Sequence, residues 1–114
     1  MLINRRNPLT RSSSNRVVDK KGSEATVYLY DEIGFWGINA GDFVKELQNL
    51  DAETIHLRIN SPGGDVFAAR TMKTALQQHK AKVIAHIDGL AASAASFIAM
   101  GADEIEIEDG GFFL

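Results

Sequence analysis

The sequence predicts an α/β fold built on a largely parallel sheet. Short runs rich in β-branched and aromatic residues alternate with longer segments whose apolar residues recur every three or four positions. Gly-, Pro- and Asp-containing turn signals separate them. Strand–helix–strand–helix–strand–helix–strand is the order that parallel sheets with helical crossovers require. In such folds function gathers where the carboxyl ends of strands enter helices.

Each element has its own sequence signature. Residues 26–30, Thr-Val-Tyr-Leu-Tyr, predict a first strand, followed by a turn region over residues 31–37 with an exposed Phe35-Trp36 pair. Residues 38–50 predict a helix, since Phe43, Val44, Leu47 and Leu50 share one face. Residues 54–60 alternate Ile55, Leu57 and Ile59 and predict a second strand. Ser61-Pro62-Gly63-Gly64 is a tight loop, and Asp65 is the N-cap of a helix over residues 65–79 whose apolar face is Val66, Ala69, Met72 and Leu76. Residues 82–87 predict a third strand, Asp88-Gly89 a turn, and residues 90–100 a helix of small residues. Residues 104–107 predict a short fourth strand, 109–111 a turn, and 112–114 the opening of another strand.

Composition bounds the function. With 114 residues, 45% hydrophobic and 24% charged, the chain is expected to form one small domain. It has no cysteine, which excludes a disulfide framework, a zinc-thiolate site and a Cys nucleophile. No apolar stretch is long enough to span a bilayer, and the start lacks the apolar segment of a secretory signal, so a cytoplasmic, reducing setting is expected, with no membrane partner. The net charge of −3 divides into +5 over residues 1–21 and −8 over the remainder. Residues 1–23 therefore read as a flexible basic arm ahead of a domain over residues 24–114. The arm offers no aromatic residue for base stacking and the body is acidic, so nucleic acid is not an expected partner.

Two loops at strand ends carry candidate chemistry. Adjacent Gly63 and Gly64 permit positive φ and close approach, and their N–H groups suit an oxyanion. A plain β-to-α turn with an Asp cap accounts for the same residues. The loop is neither a dinucleotide fingerprint nor a P-loop, because the further glycines and the Gly-Lys pair are absent. In Gly89-Leu90-Ala91-Ala92-Ser93 a serine stands at the first turn of a helix after a strand, where positive potential favours an attacking Oγ. The Ala94 N–H then faces the same oxyanion as that of Gly64. Close helix packing through Ala91, Ala92, Ala94, Ala95 and Ser96 is the other explanation. Ser96 competes as nucleophile but lies deeper in the helix, so Ser93 is the better candidate.

The string Ile59-Asn60-Ser61-Pro62-Gly63-Gly64, then a helix, a strand and Gly89-Leu90-Ala91-Ala92-Ser93, resembles the Clp protease proteolytic subunit family, most of all its phage head maturation branch. The resemblance runs from about Thr26 to Leu114. It implies a spiral of β-β-α units as in the ClpP/crotonase fold, incomplete at its C-terminus here. It implies Ser93 as nucleophile, with Gly64 and Ala94 supplying oxyanion-hole N–H groups. It implies a polypeptide substrate, a homo-oligomeric ring, and an AAA+ ATPase or capsid and scaffold proteins as partners, with no cofactor and no metal. In that family the catalytic His and Asp follow the serine, whereas the three histidines of this chain, His56, His79 and His86, all precede Ser93 and read as structural. Asp88 is a possible orienting carboxylate or simply a turn residue. The expectation is a chain truncated before its base, with a split enzyme or a non-catalytic remnant as alternatives, and one that associates or dissolves poorly by itself. A Ser/Lys protease of the signal-peptide-peptidase type shares the Ser-Pro-Gly-Gly loop, and a crotonase-type acyl-CoA enzyme would share the fold without needing Ser93.

Overall fold

The computed structural model describes residues 18–21, 23–34 and 36–114. Its elements are β1 (Val18–Lys21), β2 (Glu24–Leu29), α1 (Ala40–Gln48), β3 (Thr54–Ser61), α2 (Val66–Gln78), β4 (Lys82–Ala91), α3 (Ala94–Ala99), β5 (Glu104–Ile107) and β6 (Phe112–Phe113). Among the described residues the strands form one sheet in the order β1-β2-β3-β4-β5, and β6 continues along β4 beyond β5. Only β1 runs antiparallel, and β2, β3, β4, β5 and β6 pair in parallel, as the alternation predicts.

The period-two pattern decides which face is covered. Val27, Leu29, Ile55, Leu57, Ile59, Val83, Ala85 and Ile87 all point one way and are buried under Phe43, Leu47, Met72, Leu76 and Ile98 of the helices. α1 touches α2 and α2 touches α3, so the helices form one layer. Successive crossovers of one hand along one direction of the sheet produce that arrangement. The opposite face is polar and holds His56, Arg58, His86 and Asp88. Among the described residues no helix is long and apolar enough to cross a membrane.

Asn39 caps α1 by accepting from the Asp42 N–H, and Asp65 caps α2 by accepting from the Phe67 and Ala68 N–H groups. The Asp65 cap is the one expected, and Ala69, Met72 and Leu76 are buried as predicted. Val66 is not, and stands 57% exposed. It occupies the first position of the helix, where the chain is still turning off the sheet.

Three expectations need correction. Val18–Lys21 falls inside the arm assigned as flexible, yet it is a strand, with Val18 opposite Val27 and Lys21 opposite Glu24. The rest of that arm lies outside the described residues, apart from Ser23. Asp88-Gly89 is not a turn, because β4 runs on through it to Ala91. The helix expected over residues 90–100 accordingly begins only at Ala94. Tertiary pairing overrides the local signal: Ala91 lies opposite Ser61 on one side and Phe113 on the other. Between the pairs Ile59–Ile87 and Ser61–Ala91 the longer path of β4 is absorbed as a bulge. Gly89 permits it, since a Cβ there would sit 2.6 Å from Asn60 Oδ1.

Candidate active site

The carboxyl ends of β3 and β4 bring the two candidate loops together. Ser93 stands between β4 and α3, exposed, with φ 54° and ψ −120°. Among the described residues it is the only non-glycine with positive φ. Such a conformation costs on the order of 1–3 kcal/mol and persists only where the surroundings hold it. Here they do. The Ser93 N–H donates to Leu114 O at 3.1 Å, the Leu114 N–H donates to Ala91 O at 2.8 Å, and the Ala92 N–H donates to Ser61 O at 3.2 Å. The side chain is thereby turned outward at the top of the sheet, and the start of α3 lies behind it.

The Ser-Pro-Gly-Gly loop is clamped from the other side. Ile33, in the loop after β2, donates its N–H to Gly63 O at 2.9 Å and accepts from the Asp65 N–H at 2.9 Å. Buried Ser61 accepts the Gly63 N–H on its Oγ at 3.1 Å. Gly63 and Gly64 have φ 102° and 148°. A Cβ on Gly64 would sit 2.0 Å from Ile33 O, so only glycine fits. A Cβ on Gly63 would sit 3.0 Å from the Ala94 N and 3.1 Å from the Ser93 Cβ, which places this loop directly against the serine turn.

Hydrogen-bond accounting separates the N–H groups of the two loops. Those of Gly63, Ser93 and Asp65 are engaged. Among the described residues, the Gly64 and Ala94 N–H groups find no acceptor within the chain. Unmade donors at such a place are what an incoming oxyanion requires. Ser96, the competing serine, spends its hydroxyl on Ser93 O at 2.6 Å within the helix.

The histidines and Asp88 lie elsewhere. His79 Nε2 meets Leu50 O at 3.1 Å and its Nδ1 accepts from the Ala81 N–H. His56 and His86 face each other across β3 and β4 on the polar side of the sheet. Asp88 accepts a two-pronged bond from Arg58, at 2.9 and 2.7 Å, and the Tyr30 hydroxyl. Its carboxylate therefore joins a structural triad and orients no histidine. Its hydrogen bond also holds the Arg58 guanidinium above its usual pKa. A groove between α1 and α2, lined by Val44, Gln48, Arg70 and Gln78, shares no residue with the serine loops.

Sequence reasoning missed Ile33 and Leu114 as parts of this site, because both act through backbone atoms, which leave no mark in the residue type. The brace from Ser61 did have a signal, a serine two residues before the N–H it accepts.

The comparisons with known proteins bear on this geometry. A family model, Clp protease, matches residues 11–106. ClpP1 from Listeria monocytogenes is similar at 34% identity over 68% of this chain and 46% of that one, with a TM-score of 0.61, and a point mutant of it gives 0.62. A Streptomyces coelicolor A3(2) structure described as an enoyl-CoA hydratase is 20% identical over 89% of this chain and 50% of that one, with a TM-score of 0.64. That likeness shows the fold alone, which is the ClpP/crotonase-like one. The chain spans about half the length of the structures it matches.

Proposed function

The chain belongs to the Clp protease family, and on that premise we propose that it carries the nucleophile and the oxyanion donors of a serine endopeptidase. Ser93 Oγ attacks the carbonyl carbon of a peptide bond, and the Gly64 and Ala94 N–H groups donate to the oxygen as it gains charge. The observation that supports this most is the strained, outward-turned Ser93 beside two unengaged N–H groups. One donor of this kind is worth about 10²–10³ in rate.

The Oγ proton must pass to a base. All three histidines are committed to other contacts, so we assign the base to residues outside these 114. They belong to the same polypeptide or to a second one. The substrate is an extended polypeptide laid strand-fashion beside the loops, and its hydrolysis calls on no cofactor. Self-association into a ring is supported by apolar side chains left open at one edge of the sheet, where Ile107 is 55% and Phe112 65% exposed. Phage prohead maturation, with capsid or scaffold proteins as partners and a cytoplasmic site of action, rests on the sequence resemblance. An AAA+ ATPase partner would belong to a housekeeping role instead.

A peptide boronate tests the assignment without turnover, because its boron accepts a serine oxygen and becomes tetrahedral. Boron-11 NMR of the chain with the boronate should show a tetrahedral signal that Ser93→Ala abolishes. A signal unchanged in Ser93→Ala, or lost only in Ser96→Ala, would overturn the assignment.

A further inference from the structure

The polar face of the sheet carries a row of side chains that the peptidase reading leaves unused. Glu24 on β2, His56 on β3, His86 on β4, and Glu106 and Glu108 on and just after β5 stand side by side across four strands. His56 Nε2 lies 2.8 Å from Glu24 Oε1, and His56 Nδ1 lies 2.9 Å from His86 Nε2. His86 Nδ1 faces two carboxylates, Glu108 Oε2 at 3.3 Å and Glu106 Oε1 at 3.4 Å. The His86 side chain is only 10% exposed, whereas the glutamates at its open end are 56% and 42% exposed.

With both imidazoles neutral this row is one positive charge short, which either a further proton or a metal cation supplies. Two neutral imidazoles have two ring N–H groups. The contacts Glu24–His56, His56–His86 and His86–Glu need three. If both protons serve the first two contacts, the buried His86 Nδ1 presents a bare lone pair to two anionic oxygens. A cation at that point removes the conflict. His86 Nε2–H then donates to His56 Nδ1, His56 Nε2–H donates to Glu24, and the Nδ1 lone pair becomes a ligand.

The geometry points to a divalent-cation site formed by His86 Nδ1, Glu106 and Glu108, with His56 and Glu24 as the outer hydrogen-bonded relay. Ligand atoms each about 2.0–2.1 Å from a tetrahedral zinc lie about 3.4 Å apart. The His86–Glu108 and His86–Glu106 separations have that value already. The three ligand atoms all lie within 4.8 Å of one another. Imidazole with carboxylates suits zinc among the common divalent ions, and a ligating histidine that hands its other N–H to a partner is the usual support. Arg58 Nη2, 3.9 Å from Glu108 Oε2, is the competing cation, but its fork is already bound to Asp88. The missing cysteines excluded only a zinc-thiolate site and the family resemblance implied no metal, whereas these ligands become neighbours only through the register of β4 with β5. The ion would fasten β5, a four-residue strand, to β4.

Titration of the chain with Zn²⁺ against a chromophoric chelator tests the site. One equivalent should bind saturably and raise the melting temperature. Glu106→Gln and Glu108→Gln, both at exposed positions, should each weaken binding by more than about tenfold, and His56→Gln by about 10–100-fold, as an outer partner does. The metal-free melting curves of these variants serve as the check on folding. Nitrogen-15 NMR gives an independent measure, since zinc should move the His86 Nδ1 resonance and leave Nε2 protonated. Absence of saturable binding, binding retained by the double glutamine variant, or a zinc shift at His86 Nε2 instead of Nδ1 would each overturn the site.

Discussion

Gly63 lies so close to the turn at Ser93 that a Cβ on it would sit 3.1 Å from the Ser93 Cβ and 2.6 Å from the Ala92 carbonyl oxygen. Both contacts are with the backbone or its first side-chain atom, so nothing flexible can yield. Gly63 also has φ 102°, which an L-residue adopts only under strain. Gly63→Ala should therefore destabilise the fold by at least about 2 kcal/mol. Urea denaturation measures the loss, and an unchanged midpoint would mean that the two loops are not held together as described.

Ser93 makes the opposite prediction. Its φ of 54° costs on the order of 1–3 kcal/mol. Glycine removes that cost but loses roughly 0.5–1 kcal/mol to the greater freedom of the unfolded chain. Ser93→Gly should thus gain about 1 kcal/mol of stability while abolishing boronate binding. A gain in stability on deleting the candidate nucleophile is the mark of a strained functional residue, and an ordinary surface serine would show none.

Asp65 accepts from two N–H groups of the first turn of α2. Asp65→Ala should cost about 1 kcal/mol through loss of the cap. Asp65→Asn, which keeps an acceptor oxygen, should restore most of it in the same thermal melt.

The triad on the polar face predicts an alkaline signature. Burial first, and then the hydrogen bond to Asp88, push the Tyr30 phenol above its ordinary value of 10.0. A folded-state value above the unfolded one means that the contribution is complete below pH 10 and is lost as pH rises from there toward the folded value. Stability should fall above pH 10, and Tyr30→Phe should flatten that part of the curve. Denaturant midpoints measured from pH 8 to pH 11 check the slope.

What the sequence disclosed and what it hid differ in range. The β3 alternation, the Asp65 cap and the Ser-Pro-Gly-Gly loop are set by neighbouring residues, and all were legible. The passage of β4 through Asp88-Gly89 was not, because pairing with Ser61 and Phe113 decides it, and both partners are distant in sequence. The positive φ of Ser93 has no sequence signature, since no glycine marks it. The candidate nucleophile and donors could be named from motif and resemblance, whereas the clamp through Ile33 and Leu114 could not, because backbone atoms form it. The His56–His86 contact joins residues on different strands and appears only once the register is known.

If Ser93 is a nucleophile set beside the Gly64 and Ala94 donors, as proposed, a small base supplied in solution should activate it. Fluorophosphonate labelling of the 114-residue chain in rising concentrations of imidazole, read by intact mass and peptide mapping, tests this most directly. One adduct on Ser93 is expected, formed faster as imidazole increases, retained in Ser96→Ala and absent in Ser93→Ala. No adduct at any imidazole concentration, or one located on another residue, would contradict it.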